Sequence, residues 1–155
     1  MNWPKEIENE IINAYGMPGN HQVYLKLPYK MKLSWNQSIW IDGFLCHEKV
    51  KNSLNNIFLD VSKAYTKEEI NNYGFNIWGG CLKVRYKRSL KELSLHSWGI
   101  AVDINPNENR FLWDSKKASF AKEYCLKWWE IWENYSWYSL GRNHDYDWMH
   151  IQATK

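Results

Sequence analysis

Residues 94–104 read SLHSWGIAVDI, and this stretch decides how the rest of the chain is interpreted. It holds His96 and Asp103 seven positions apart, an odd spacing that would send the two side chains to opposite faces of one straight strand. Gly99 lies between them and accepts backbone angles that other residues resist, so a turn there removes the difficulty. After the turn, apolar residues alternate with Ala101 and Asp103, which predicts a half-buried strand with an acid on its open face. Because an unpaired buried charge is costly, Asp103 needs a partner.

A second stretch, NHDYDWMHIQ at residues 143–152, offers that partner. His150 lies there in an apolar segment, with Asp147 three residues before it. Two histidines and one carboxylate form a three-ligand zinc site whose fourth position is open to water, and a further carboxylate can act as general base. The sequence therefore predicts Zn²⁺ bound by His96, Asp103 and His150, with Asp147 as the base. On spacing alone the ordinary alternative stays open, in which such histidines are hydrogen-bonded core residues and such aspartates cap turns.

The two stretches resemble, in this order, the paired signatures of a known family. The first is similar to the S-x-H-x-x-G-x-A-x-D pattern of the VanY-like D-alanyl-D-alanine carboxypeptidases, a zinc peptidase group that also contains phage L-alanyl-D-glutamate endopeptidases. DWMHIQ at residues 147–152 resembles the second signature, acid-x-x-His. Gly79-Gly80-Cys81, followed by Arg85 and Arg88, resembles the segment before the first signature in the phage-type branch. Many carboxypeptidase members carry Glu where this chain has Asp147, and some endolysin-type members carry Asp, so the cleaved bond stays open.

The resemblance also implies residues that meet the substrate. Arg85 would point into the active-site groove, where a guanidinium could hold a substrate carboxylate or stabilise the oxyanion. A solvated strand face is the alternative for Arg85, and Arg88 takes the role if the register differs. The hydroxyl of Ser94 would bind substrate or merely form a turn. His144 and Asp145, beside the second signature, are reserve candidates for ligands or for groups that orient them.

The pattern of apolar residues predicts short strands between helices. Helices are predicted from Pro4 to Gly16, from His47 past Val61, from Thr66 to Gly74, and after an N-cap at Ser115 with a core-facing stripe of Phe120, Tyr124, Trp128 and Trp132. Strands are predicted at residues 38–45, 81–86 and 100–104, and loops at residues 21–35 and 75–80. The sequence thus predicts an α+β fold with a small, mainly antiparallel sheet and helices packed on it. The resemblance implies the Hedgehog/DD-peptidase type, with the metal in a groove across the sheet.

Length and composition suit a single domain over residues 1–155. The formal charge of +3 and the pI near 8.6 show a small excess of basic residues. This excess is compatible with attraction to an anionic polymer such as the bacterial cell wall. Nucleic-acid binding would require a concentrated basic stripe, and residues 83–88 make only a short one, so we expect no nucleic-acid partner. The 11 tryptophans and 10 tyrosines should mostly fill the core. We expect a monomer.

The cysteines and the first residues bear on the compartment. Cys46, Cys81 and Cys125 stand far apart without a C-x-x-C pair, which predicts reduced and mostly buried thiols. Residues 1–16 carry three glutamates and lack a long apolar core, so we expect neither a signal peptide nor a membrane span. We therefore expect synthesis in the cytoplasm, and action on the cell wall would require a separate pore, as for phage lysis proteins.

These expectations combine into one functional hypothesis. It is a zinc peptidase that hydrolyses peptide bonds in the stem peptides of bacterial peptidoglycan, of L-alanyl-D-glutamate endopeptidase or D-alanyl-D-alanine carboxypeptidase type, serving as a phage or prophage lysis enzyme. The alternative is a non-catalytic cell-wall-binding module with a peptidase-like fold, whose aromatic residues would grip wall peptide or glycan. A small nucleic-acid-binding domain is a second alternative, and steeply salt-dependent DNA binding would identify it.

Overall fold

The computed structural model describes residues 2–155 and contains one six-stranded sheet. The strands are β1 (Gln22–Leu33), β2 (Asn36–His47), β3 (Ile77–Gly80), β4 (Ala101–Ile104), β5 (Tyr138–Ser139) and β6 (His150–Gln152). Their order across the sheet is β2-β1-β3-β4-β6-β5, and every pair is antiparallel except β1 with β3. The prediction of an α+β fold with a mainly antiparallel sheet is therefore confirmed.

Five α-helices accompany the sheet. They are α1 (Glu8–Tyr15), α2 (Glu48–Ala64), α3 (Lys67–Asn72), α4 (Leu126–Asn134) and α5 (Leu140–His144). Thr66 and Glu69 form the predicted capping box at the start of α3, each accepting a hydrogen bond from the other's backbone N–H. None of the helices among residues 2–155 is both long and apolar enough to span a bilayer.

Helix α2 covers β1 and begins where the sequence predicts, at a cap formed by His47. Nδ1 of His47 accepts a hydrogen bond from the backbone N–H of Lys49 at 3.1 Å, and Nε2–H donates to the carbonyl oxygen of Tyr15 at 2.7 Å. Both ring nitrogens are thus used within the fold. His47 joins α1 to the start of α2 and takes no part in the site described below.

Most tryptophans lie in the core, as predicted. Eight of them are buried: Trp3, Trp78, Trp98, Trp128, Trp129, Trp132, Trp137 and Trp148. The indole of Trp128 stacks on Phe75 with the ring centroids 4.3 Å apart, which fixes α4 against the segment that enters β3. Trp35 and Trp40, in contrast, are 67% and 51% exposed, on the hairpin formed by β1 and β2.

The predicted loop at residues 21–35 is wrong, because Gln22–Leu33 forms the long strand β1. Leu25 and Leu27 are buried at alternate positions, which is the pattern of a half-buried strand. Pro28 masked this pattern, since proline cannot donate to a strand ladder. Pro28 lies in the register shift between Lys26 and Met31, where the pairing with β2 is interrupted. The backbone N–H that proline lacks is therefore not required for a hydrogen bond to β2.

The predictions for residues 75–86 are also wrong in part. The predicted loop at residues 75–80 contains strand β3, and the predicted strand at residues 81–86 is irregular, with a single isolated bridge between Tyr86 and Leu93. Val84 and Tyr86 are 60% and 59% exposed, so the alternation there does not correspond to a buried face. Periodicity cannot distinguish a strand from an irregular segment when no neighbouring strand supplies the ladder.

Two predicted helix starts are wrong as well. Helix α1 starts at Glu8 rather than Pro4, because the carbonyl of Pro4 accepts a hydrogen bond from the backbone N–H of Lys155 at 3.0 Å and this end of the chain stays extended. Helix α4 starts only at Leu126, after two short 3₁₀ turns. Ser115 caps no helix, and its backbone N–H and hydroxyl instead donate to the Asp145 carboxylate.

All three cysteines are free and buried, as predicted. Burial raises the pKa of the Cys46 and Cys125 thiols to about 12 and that of the Cys81 thiol well above its ordinary value. The thiolate is the reactive form. We therefore expect an aromatic disulfide reagent at pH 8 to release almost no chromophore from the native protein and three equivalents after unfolding in guanidinium. Rapid release from the native protein would contradict this burial.

Candidate metal centre

The site lies where β4 pairs with β6, near the middle of the sheet. Asp103 on β4 and His150 on β6 are directly opposite each other in the antiparallel register. Directly opposed residues project to the same face of a sheet, so the two side chains meet. Nδ1 of His150 lies 3.2 Å from Oδ1 of Asp103.

His96 reaches the same place through the turn that precedes β4. It lies in a 3₁₀ turn, Leu95–Trp98, which ends at Gly99 in the left-handed conformation with φ 68°. The backbone N–H of Gly99 donates to the carbonyl of His96 at 3.1 Å, which closes the turn. Nε2 of His96 consequently lies 3.1 Å from Oδ2 of Asp103, as the glycine between them predicts.

The three side chains converge on one point. One donor atom from each of His96, Asp103 and His150 lies within 4.8 Å of the other two, and two nitrogens with one carboxylate oxygen form a donor set typical of zinc. Burial alone would raise the pKa of Asp103, but the adjacent His96 and His150 outweigh it and hold that pKa far below the usual range. The carboxylate is therefore an anion that can offer its lone pairs to a cation.

The hydrogen bonds of His96 fit a bound metal. Its Nδ1–H donates to the carbonyl oxygen of Cys81 at 2.7 Å, so in the neutral ring Nε2 carries a lone pair. Nε2 is buried and forms no hydrogen bond, since with the ring proton on Nδ1 it and Oδ2 of Asp103, 3.1 Å away, are two acceptors that face each other. A buried ring nitrogen without a partner is unusual in native proteins. A cation between Nε2 and the carboxylate would satisfy both atoms.

His150 is oriented by a chain of hydrogen bonds that the sequence did not reveal. Nε2 of His150 lies 2.8 Å from Oε1 of Gln152, and the Gln152 amide nitrogen donates to Oε2 of Glu6 at 2.8 Å and to the hydroxyl of Thr154 at 2.7 Å. Because the amide nitrogen of Gln152 already donates two hydrogen bonds, Oε1 of Gln152 accepts one from Nε2–H of His150. The lone pair on Nδ1 of His150 then faces Asp103. The i, i+2 spacing of His150 and Gln152 on a strand is the one signal that could have indicated this contact.

Asp147 lies beside the three donors without joining them. It is buried at the wall of the same cavity, and its backbone is left-handed, with φ 50°. Burial, with a further contribution from the Asp103 charge, raises the pKa of Asp147 to about 6, against the lowering effect of His150, His96 and Arg88. This is a carboxyl group outside the donor set, near the point where the donors converge.

The other predicted substrate residues surround a cavity of about 400 Å³ that contains the donor atoms. Arg85, Arg88 and Ser94 all line it, so both arginines border the donor atoms. The Arg88 guanidinium lies 4.2 Å from the centroid of the Phe111 ring, and Arg85 is exposed. The Ser94 hydroxyl accepts a hydrogen bond from the backbone N–H of His96 at 3.3 Å, and therefore also caps the turn that carries this histidine.

The reserve candidates have other partners. Nε2 of His144 lies 2.7 Å from the hydroxyl of Tyr138. The Asp145 carboxylate accepts hydrogen bonds from Ser115 and from the indole N–H of Trp148, so it fixes the loop before β6 instead of a ligand.

Comparison with known proteins gives one family match. Residues 87–153, which include both signature stretches, match the family model described as D-alanyl-D-alanine carboxypeptidase. This match confirms the resemblance to the VanY-like family that the paired signatures indicate, and it supports a peptidase of the D-alanyl-D-alanine carboxypeptidase kind. No curated protein and no solved structure matches the chain.

Proposed function

We propose, from the relationship of residues 87–153 to the D-alanyl-D-alanine carboxypeptidase family, that this protein is a zinc-dependent peptidase acting on the stem peptides of bacterial peptidoglycan. The observation that carries the proposal is the buried, unpartnered Nε2 of His96, which faces Asp103 and His150. Core histidines in their ordinary role would have used this nitrogen for a hydrogen bond.

In this proposal the chain's residues have separate roles. His96, Asp103 and His150 hold the Zn²⁺, which supplies, when bound, a Lewis acid that polarises the scissile carbonyl and acidifies the attacking water. The carboxylate of Asp147 accepts a proton from that water and donates it to the nitrogen of the departing amine. The water oxygen ends on the carbonyl carbon, the C–N bond breaks, and no covalent link to the protein is formed.

The cations of the cavity support an anionic substrate. Lys87 is paired with Glu6 at 2.7 Å and Glu92 at 3.1 Å. Arg85 and Arg88 form no ion pair with any carboxylate among residues 2–155, so both guanidiniums can bind a carboxylate of the substrate. Stem peptides carry free carboxylates, and a guanidinium binds a carboxylate with two parallel hydrogen bonds. We propose that these arginines hold the substrate.

We further propose a biological setting for this activity. An aspartate at position 147, as in some endolysin-type members, favours a phage or prophage lysis enzyme. We propose that it acts as a monomer. Such a protein would be made in the cytoplasm and reach the wall through a separate pore. Lysis of cells that co-express the protein with a pore-forming partner, and no lysis without that partner, would test this setting.

The first experiment is elemental mass spectrometry of the protein purified without added metal. We expect about one zinc per chain, followed by release of amino groups from purified peptidoglycan. No zinc before or after incubation with zinc at neutral pH would contradict the ligand set. Zinc together with wall binding, but without release of amino groups, would favour the binding module over the enzyme.

Gln152→Leu tests the hydrogen-bond chain behind His150. Removing the acceptor of the Nε2–H should weaken zinc binding by about 10-fold to 100-fold, because partners of this kind fix the tautomer and orientation of a ligating histidine. Competition with a chromophoric chelator measures the affinity directly. Thr154→Ser is the matched control, since it keeps a hydroxyl acceptor for Gln152 and should keep the affinity. A folded Gln152→Leu protein with unchanged zinc affinity would exclude this role.

A further inference from the structure

The segment before α1 is fixed against the last residues of the chain. The Trp3 ring is buried, and its indole N–H donates to the carbonyl oxygen of Tyr135 at 3.3 Å. The backbone N–H of Lys155 donates to the carbonyl oxygen of Pro4 at 3.0 Å. These contacts hold the segment beside the residues that follow β6. The carboxylate of Glu6 consequently reaches the wall of the cavity that contains the metal centre.

Glu6 receives two hydrogen bonds there, one on each oxygen of its carboxylate. Nζ of Lys87 donates to Oε1 at 2.7 Å, and the amide nitrogen of Gln152 donates to Oε2 at 2.8 Å. Burial alone would raise the pKa of Glu6, but these hydrogen bonds and the charge of Lys87 outweigh it and lower that pKa below its ordinary value. Glu6 is therefore an anion at neutral pH, and an ionised carboxylate can only accept hydrogen bonds.

This restriction fixes the orientation of the Gln152 amide. Its NH₂ group must face Glu6, so its oxygen Oε1 faces the other way, toward Nε2 of His150 at 2.8 Å. The hydroxyl of Thr154, 2.7 Å from the amide nitrogen, can donate as well as accept, and so can an imidazole nitrogen. Among these three neighbours Glu6 alone is restricted to one role, and it therefore decides which way the amide lies.

The orientation of the amide decides in turn which ring nitrogen of His150 carries the proton. Oε1 of Gln152 accepts from Nε2–H, so in the neutral ring Nδ1 carries the lone pair. Nδ1 lies 3.2 Å from Oδ1 of Asp103, on the side of the proposed metal. With the opposite amide orientation Nε2 would accept, and Nδ1–H would donate to Asp103. A proton would then lie between two of the atoms that are proposed to bind the metal.

We propose that Glu6 is a positioning residue of the metal centre, which acts through Gln152 to keep the lone pair on Nδ1 of His150 directed at the metal. The inference rests on the proposed zinc site and extends it to the segment before α1, outside residues 87–153 that match the family model. Lys87 contributes as well, because its ammonium can only donate and holds the other oxygen of Glu6. These four side chains form a hydrogen-bond relay with a single direction.

Glu6→Gln tests the relay, because the substitution should reverse it. Lys87 can only donate, so the new amide would turn its oxygen to Lys87 and its NH₂ group to Gln152. The Gln152 amide would then turn round and donate to Nε2 of His150, which moves the ring proton to Nδ1. Nitrogen-15 NMR of the zinc-free proteins, at a high pH where the His150 ring is neutral, identifies the protonated nitrogen. We expect Nε2–H in the unmodified protein and Nδ1–H in the variant, and a zinc affinity that is lower by about 10-fold to 100-fold in the variant.

Glu92→Gln is the matched control, since Glu92 accepts from the same Lys87 ammonium at 3.1 Å and has no hydrogen bond to Gln152. Its side chain is 70% exposed, and the substitution should change neither the tautomer nor the zinc affinity. The double variant Glu6→Gln/Lys87→Leu lacks the donor that turns the new amide. It should therefore regain part of the Nε2–H form and part of the affinity, whereas a purely structural role for the ion pair would make the double variant worse.

The outcomes distinguish this inference from the proposed function. An unchanged tautomer together with an unchanged zinc affinity in Glu6→Gln would overturn the role of Glu6 and leave the zinc peptidase proposal standing. Nδ1–H in the unmodified protein would overturn the relay as well. If the unmodified protein bound no zinc, the zinc site would be refuted, and the tautomers of the two zinc-free proteins would still decide the relay.

Discussion

Asp147→Asn should keep about one zinc per chain and lose nearly all turnover. The carboxylate lies outside the donor set, so its removal leaves His96, Asp103 and His150 intact. An amide cannot accept the proton of the attacking water, and loss of a positioned general base costs about 10²-fold to 10⁴-fold in rate. Asn, like Asp, is one of the non-glycine residues that tolerate the left-handed backbone found at this position, where φ is 50°, so the fold should be unchanged.

Two measurements on this variant separate the possible roles. Elemental analysis gives the zinc content, and amine release from peptidoglycan gives the rate. Asp145→Asn is the control, because it makes the same chemical change two residues away, on an exposed side chain that contacts Ser115 and Trp148. The control should retain both zinc and activity. A zinc-free Asp147→Asn protein would mean that Asp147 is a ligand and that the assignment of base and ligands is wrong.

His96→Ala should abolish zinc binding and activity together. It removes the nitrogen that is buried without a partner and leaves only two protein ligands, one fewer than catalytic zinc sites use. We expect zinc content to fall from about one per chain to near zero after dialysis against a weak chelator. Asp103→Ala and His150→Ala should behave alike, because each supplies one of the same three donors.

The control for this series is His144→Ala. His144 is exposed and interacts with Tyr138, so its loss should change neither the zinc content nor the rate. Far-ultraviolet circular dichroism of the zinc-free proteins would verify that each variant is folded. Full zinc occupancy in a folded His96→Ala protein would refute the proposed centre, whereas loss of zinc from His144→Ala would place the centre elsewhere.

The sequence predicted the proximity of His96 and Asp103 better than the strands around them. His96, Gly99 and Asp103 lie within one short stretch, so local geometry was sufficient to bring the histidine and the acid to one side. The meeting with His150 depends on the pairing of β4 with β6, and the paired signatures indicated it through family resemblance. The position of His96 and Asp103 therefore follows from local geometry, whereas that of His150 could be predicted only from the family resemblance.

The errors have a common physical origin in contacts between distant parts of the chain. The sequence predicted a loop where strand β3 forms and a strand at the irregular residues 81–86, because burial there depends on which strands lie alongside. The contact of Gln152 with Glu6 joins residues 146 positions apart, and neither residue carries a local motif. No periodicity or spacing rule reaches such a pair.

The same separation along the chain has a consequence for the order of folding. Asp103 and His150 are 47 positions apart, and the loop between them must close before their side chains can meet. Contacts of such high sequence separation are slow to form, so the docking of β6 should be among the late steps of refolding. A metal that needs all three donors cannot bind tightly before this step. Zinc would therefore stabilise the protein by lowering the rate of unfolding, because it slows the dissociation of β6 from β4. It would not raise the rate of folding.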